Sequence, residues 1–239
     1  MPEDKPKLKV LDLFSGIPVG GFSLGLERTG GFKTVAFCEI EEFPRRVLRK
    51  HWPEVPCYHD VRTLTADVLR RDGIAIDVVT GGFPCQRFSS AARGRNTAPD
   101  RWPEMERVVG ETGPDVVIAE NVKRDPIARA ADALCRMGLQ CDVVRIPAAV
   151  IGADHKRMRW WAVAHSYKNG EFSGALNAEM AELQKVSGGV WGAQAYSAAI
   201  RLSDGVSGGL DGVAAFGNAV VPQIPELIGR AILRARSAA

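Results

Sequence analysis

The feature that most constrains this chain is an alternation, sustained through residue 165, between short apolar runs and amphipathic stretches. Runs of this length, rich in Val, Ile and Leu, suit strands buried on both faces. With helical stretches between them they predict a mainly parallel sheet covered by helices on both sides. VLDLF at 10–14 predicts the first strand and TVAFCEI at 34–40 the second. IDVVTGG at 76–82, DVVIAEN at 115–121, CDVVRIPA at 141–148 and WWAVAH at 160–165 predict later ones. FSLGLERTG, EEFPRRVLRKHW, PEMERVVGETG and DPIARAADALCRMG fill the intervals as helices, and PELIGRAILRAR at 225–236 predicts another. Between 166 and 215 Gly, Ser and Ala dominate and the periodicity weakens, which predicts an appendage on a single core. A length of 239 residues accommodates one sizeable core with such an addition.

Bulk charge names no partner, since 31 Lys and Arg stand against 28 Asp and Glu, a net of +3. A nucleic-acid partner must therefore be argued from local residues. The five cysteines are widely spaced, with no CxxC pair and no zinc-ligand spacing, so they read as reduced intracellular thiols. MPEDKPKLKV lacks an apolar signal core, and no uncharged apolar run approaches the roughly 18 residues that a membrane span needs. A cytoplasmic, soluble protein is the expectation.

Four constellations carry candidate chemistry. The glycine-rich turn Ser15-Gly16-Ile17-Pro18-Val19-Gly20-Gly21 follows the first strand, and Glu39 closes the second. Such a turn brings backbone N–H groups close to a ligand and such an acid can hold a ribose, although the same turn equally serves tight strand-to-helix packing. Gly81-Gly82-Phe83-Pro84-Cys85-Gln86 places a cysteine just after a strand, where open α/β sheets carry out their chemistry. Loop formers and polar neighbours suit Cys85 to nucleophilic work, whereas Cys38, Cys57, Cys135 and Cys141 are read as packing thiols. Glu120, at the end of DVVIAE, could serve as an acid if burial raised its pKa, or could be a solvated cap. His155-Lys156-Arg157-Met158-Arg159 puts two arginines on one side of an extended chain, suited to a phosphate or carboxylate or to a solvated edge. No second His or Cys stands at ligand spacing from His155, and no metal is expected.

Taken in order, these residues resemble the DNA cytosine-5 methyltransferase family, in the compact form carried by phages and prophages. DLFSG with GGFSLGLE resembles the family's first, S-adenosylmethionine-binding motif, FCEI the second and HDV at 59–61 the third. GGFPCQRFS carries the Pro-Cys dipeptide, ENV resembles the catalytic glutamate motif, and HKRMR stands where the family has paired arginines. GNAVVPQIPELIGRAI resembles the last motif, which completes the cofactor pocket. The resemblance implies a Rossmann-like, S-adenosylmethionine-dependent methyltransferase fold over 1–165 and 216–239, with a reduced target-recognition region at 166–215.

The same resemblance implies a chemistry. The Cys85 thiolate would add to carbon 6 of a flipped-out cytosine in double-stranded DNA while Glu120 binds ring nitrogen 3, and carbon 5 would then take the methyl group. Arg157 and Arg159 would orient the base and keep Cys85 ionised. Phe14, Gly16, Ile17, Glu39, Ile40, Asp60, Val61, Pro84, Asn218 and Ala219 would line the cofactor site. Gln86, Arg87, Ser89, Arg93 and Arg95 would meet DNA, with Arg101 in the same closing loop against one acid, Asp100. A monomer, with no membrane partner and a role in restriction-modification, completes the expectation.

The chain departs from the family pattern at named places. Pro18 and Val19 stand between Ile17 and Gly20 in the cofactor loop, Arg87 follows PCQ, and His155 takes the place of a glutamine. The recognition stretch is short and poor in residues that read base edges, which implies a short target sequence or weak discrimination. An RNA cytosine methyltransferase, a user of modified S-adenosylmethionine and a catalytically weak DNA-binding protein are the alternatives. A nicotinamide-dependent dehydrogenase fits PCQ and ENV poorly.

Overall fold

The computed structural model describes residues 6–17, 21–84, 99–147, 158–167, 172–186 and 220–238. Strand β1 (Leu8–Leu13) leads through a turn to helix α1 (Phe22–Arg28), followed by β2 (Phe32–Cys38) and α2 (Glu42–His51). A two-residue β3 (Cys57–Tyr58), α3 (Ala66–Arg71), β4 (Val78–Gly82), α4 (Trp102–Thr112), β5 (Val116–Asn121) and α5 (Arg124–Arg136) come next. The strands β6 (Gln140–Pro147) and β7 (Met158–His165) precede α6 (Phe172–Val186) and α7 (Gln223–Ala238). Every apolar run read as a strand is one. The sequence pattern passed over β3, α3 and α6, which are respectively too short, too short and too weakly periodic to stand out.

The sheet order is β3-β2-β1-β4-β5-β7-β6. β1 to β5 pair in parallel, while β7 runs antiparallel to both β5 and β6. Strand order reverses between β1 and β4, and the carboxyl edge at such a switch is where open sheets leave a crevice.

Side-chain alternation divides the core into two layers. On one face Leu11, Leu13, Val79, Val117 and Ala119 meet Met105, Ile127 and Leu134 of α4 and α5. On the other Val10, Val78, Val116 and Ile118 meet Phe22 and Leu26 of α1, Phe172 and Leu176 of α6, and Ile228 and Ile232 of α7. Each such side chain contributes about 1.5–3 kcal/mol on burial, so the central strands are held from both sides. The residue just before α7 seats tightly on α1 at Gly25, where a Cβ would lie 2.1 Å from the Pro222 carbonyl oxygen. α6 lies inside the stretch expected to choose the target, yet its Phe172 and Leu176 belong to this core. Among the described residues no helix is long and apolar enough to cross a membrane.

Candidate active site at the carboxyl edge

All six residues of β5 are buried, Glu120 and Asn121 included. The pairing sets Glu120 beside Gly82 of β4 and opposite Trp161 of β7. Arg159, two residues along β7 from Trp161, therefore shares the face of Glu120. Its Nε forms an ion pair with Glu120 Oε1 at 2.7 Å, and its Nη1 donates to the Met158 carbonyl at 3.0 Å. The two side chains are only 18% and 9% exposed, so this ion pair is screened far less than a surface pair. A Cβ on Gly82 would lie 3.1 Å from Glu120 Oε2, tighter than an ordinary contact. Glycine at this position spares the carboxylate that close contact on the β4 side.

The turn after β4 is tied down at both of its described ends. Asn121 Nδ2 donates to the Phe83 carbonyl at 3.0 Å, and the Phe83 ring packs on Trp102 with centroids 5.3 Å apart. The Arg101 N–H donates to the Pro84 carbonyl at 3.1 Å. The chain thus leaves this edge at half-buried Pro84 and returns beside it. Arg101, expected to face DNA, instead bonds Glu104 at 2.5 Å, a local capture of its charge at the start of α4. Asp100 accepts from Arg129 at 3.1 Å and from the Trp102 N–H at 3.0 Å. Cys85, Gln86, Arg87, Ser89, Arg93, Arg95, Arg157, Asn218 and Ala219 lie outside the described residues, as do Pro18, Val19 and His155.

The other half of the edge is built on β1 and β2. Phe14 (φ +53°) and Gly16 (φ +58°) both adopt left-handed backbone as β1 ends. For a phenylalanine that conformation is strained, a state that local structure must hold in place. Glu39, just past β2, supplies part of that hold: its Oε2 accepts the Gly16 N–H at 2.8 Å and its Oε1 accepts the Glu41 N–H at 2.8 Å. Burial pushes the Glu39 carboxyl above its ordinary value, and the two backbone donors pull it back. Ile17 is buried beneath the turn, while Ile40, beside Glu39, is 50% exposed and offers an apolar surface at the mouth.

Asp60 and Val61 follow β3. The Arg62 guanidinium and backbone N–H hold Asp60 down at about 2, with Arg62 Nε 2.9 Å from Oδ2 and the Arg62 N–H 2.9 Å from Oδ1. Val61 points into the core, and its carbonyl accepts Arg107 Nη2 at 2.7 Å. A strand-end carboxylate, a second acid, an apolar platform and a turn with left-handed backbone form a donor and acceptor set that fits an adenosine-bearing ligand.

Asp12 was not singled out as a site residue, yet an acid inside the apolar run VLDLF is itself a signal. It is buried, its Oδ2 accepts Ser23 Oγ at 2.8 Å and its Oδ1 accepts Thr80 Oγ1 at 2.8 Å. These bonds join β1, α1 and β4 across the two halves of the edge. Burial pushes its carboxyl up to about 7, against the pull of the two hydroxyls.

The cysteines divide as follows. Burial pushes Cys38 and Cys141 up to about 12 and raises Cys57, which keeps these thiols protonated and unreactive. Cys135 corrects the sequence reading: it is exposed on α5, at the rim of the core, with its thiol reaching Cys141 of β6.

A sheet in this order, closed at one side by an antiparallel pair, is the Rossmann-like fold of S-adenosylmethionine-dependent methyltransferases. The fold matches that of an E. coli prophage-encoded protein assigned as a DNA modification methyltransferase, with a TM-score of 0.67 at 18% identity over 97% of this chain and 100% of the other. The chain belongs to the C-5 cytosine-specific DNA methylase family, whose pattern matches residues 8–199. It is similar to the Type II methyltransferase M.CviJI of Paramecium bursaria Chlorella virus IL3A, 31% identical over 185 residues, covering 71% of this chain and 47% of the relative. It is also similar to the Type II methyltransferase M.HgiBI of Herpetosiphon aurantiacus, 39% identical over 122 residues, covering 49% of this chain and 26% of that one. The chain thus spans about half or less of the length of these two relatives.

Proposed function

We propose that this chain transfers a methyl group from S-adenosylmethionine to carbon 5 of a cytosine flipped out of double-stranded DNA. The observation that carries the reading is the buried Glu120–Arg159 pair at the end of β5, next to the strand that delivers Pro84 and Cys85. Carbon 5 of cytosine is a weak nucleophile and must be activated. The Cys85 thiolate forms a bond to carbon 6, and the displaced electron pair builds up toward ring nitrogen 3, where Glu120 meets it through a proton or strong hydrogen bond. Arg159 holds Oε1 of Glu120 and so fixes the direction in which Oε2 faces the base. Arg157, one residue before β7, adds a second cation for the base or a flanking phosphate. Loss of the carbon-5 proton to solvent water then re-forms the 5,6 double bond and expels the Cys85 thiolate, and ring nitrogen 3 returns its proton to Glu120.

Bound S-adenosylmethionine supplies the electrophilic methyl group. Phe14, Gly16 and Ile17 line its site, Glu39 accepts from its ribose hydroxyls, and Ile40, Asp60 and Val61 border its adenine. Pro84, Asn218 and Ala219 complete its methionine end. Asp60 has spare lone pairs despite its bonds to Arg62, and the exposed face of Ile40 suits a flat ring. Gln86, Arg87, Ser89, Arg93 and Arg95 contact DNA from the segment between the fixed ends at Pro84 and Arg101. Target choice falls to 166–215, where α6 anchors the region to the core. One chain suffices for one flipped base.

The test is incubation with labelled S-adenosylmethionine and a duplex carrying 5-fluorocytosine, which blocks release of the enzyme. A covalent complex that is absent in Cys85→Ala is expected. A folded, cofactor-binding wild-type protein that forms no adduct would defeat the reading.

A further inference from the structure

Most arginines among the described residues have carboxylate partners: Arg45, Arg49, Arg62, Arg70, Arg101, Arg107 and Arg129 each sit in an ion pair. Arg124 and Arg145 behave differently. Both are exposed, and each lies against the same ring, with Arg124 Cζ 5.9 Å and Arg145 Cζ 5.7 Å from the Trp160 centroid. No ion pair joins either to a carboxylate among the described residues.

The register explains the meeting. Arg145 of β6 is directly opposite Trp160 of β7, which in turn is opposite Asn121 at the carboxyl end of β5. Arg124 opens α5, the helix that covers this face of the sheet. The three side chains therefore sit on the same edge as Glu120 and Arg159 but on the opposite face. Glu120 pairs with Arg159 on the other face, and this stretch carries Arg124 and Arg145 with Asp125 next to Arg124 in sequence. Positive charge at the start of α5 runs against the helix dipole, so Arg124 does not serve the stability of its helix.

An arginine lying on an aromatic face spends its π-surface there and keeps its N–H edge for a second partner. That edge matches a phosphate in a bidentate fashion, and fixing the guanidinium on a ring in a paired strand lowers the entropy lost on contact.

We propose that Arg124, Trp160 and Arg145 form a phosphate-gripping platform for the backbone of duplex DNA, outside the catalytic pocket and separate from the segment after Cys85. The platform rests on the reading of the chain as a DNA methyltransferase. It adds affinity through release of counterions from the duplex, with no part in reading bases or in the bond changes at the cytosine.

The test is the salt dependence of binding. A fluorescently labelled duplex is titrated by anisotropy at several NaCl concentrations with wild type, Arg124→Gln, Arg145→Gln, the double Gln variant and a double Lys variant. Circular dichroism checks each fold. Each Gln substitution is expected to lower the slope of log K against log salt by about 0.9, and the double variant by about twice that. The Lys pair retains the wild-type slope while binding more weakly, because it keeps the charge and loses the stacked fork. Folded Gln variants with the wild-type slope overturn the platform, whatever their affinity, and so does a slope change confined to an RNA duplex. A wild-type protein that binds no duplex at all overturns the functional reading and the platform together. Wild-type binding with unaltered slopes overturns the platform alone.

Discussion

Glu39 and Glu120 each follow or end a parallel strand at the carboxyl edge, and each is 7% exposed, yet their surroundings give them different uses. Glu39 is held by two peptide N–H groups, which orient the carboxylate without cancelling its charge. A net negative acceptor of that kind suits neutral hydroxyl donors such as those of a ribose. Glu120 is held by a guanidinium, which balances the charge of the pair. An acceptor or donor of that kind can approach a heteroaromatic ring without placing a lone charge in a poorly hydrated pocket. The partner of a buried glutamate decides its role.

The comparison can be broken most forcefully at Glu120. Glu120→Gln is expected to lower methyl transfer by about 10²–10⁴-fold, the range of a lost acid–base contribution, while calorimetric affinity for S-adenosylmethionine stays near wild type. An equal loss of cofactor affinity would erase the distinction between the two acids. Glu39→Gln should act the other way round, weakening cofactor binding about 10–100-fold, the size of a lost charge-assisted hydrogen bond. Its deficit in methyl transfer should shrink as the cofactor concentration rises.

Asp12 supplies a third case, a buried strand carboxylate held by the hydroxyls of Ser23 and Thr80 and by the Ser23 backbone, with no cation beside it in these bonds. Its folded-state pKa, about 7, lies above the ordinary 3.8, so the folded state prefers the protonated form. The stability this contributes is complete below about pH 3.8 and is lost as the pH rises through 7, at about 1.4 kcal/mol per unit. Asp12→Asn removes that fall. Urea unfolding of both proteins between pH 5 and 8 should show the difference moving in favour of the variant up to pH 7 and then levelling. A pH-independent difference would count against Asp12 as the titrating group. The smallest effect is expected at Gly82→Ala, where the added methyl group displaces Glu120 Oε2 by a few tenths of an ångström. Single-turnover methyl transfer should fall by roughly tenfold, the equivalent of about 1.4 kcal/mol, with an unfolding midpoint close to wild type.

The strands were legible in the sequence because burial on both faces makes each a nearly unbroken apolar run. Their direction was not: WWAVAH is as apolar as its parallel neighbours, and nothing in its composition says that β7 runs the other way. That sense matters, because it is the antiparallel register that brings Arg159 to Glu120. The sequence pointed to both residues as candidates, with Arg159 oriented toward the base and Cys85, and only the pairing of strands shows the two in contact. Asp12 was overlooked because polar residues inside apolar runs are read as interruptions, although alternation already aimed it at the α1 side of the sheet. Cys135 was misjudged because it sits at the rim of its helix's apolar face, where it stays exposed although its thiol reaches Cys141. Short elements such as β3 carry too few residues for any period to show.

The docking of α7 on α1 makes one layer of the core a long-range joint. Phe22 and Leu26 are covered by Ile228 and Ile232, which lie far along the chain from them. Contacts so distant in sequence carry a loop-closure entropy that must be met before burial repays it, so one face of β1 and its helix stays wet until α7 arrives. Pro222 seats closely on Gly25, so the helix after β1 and the helix that follows Pro222 take their final shape together.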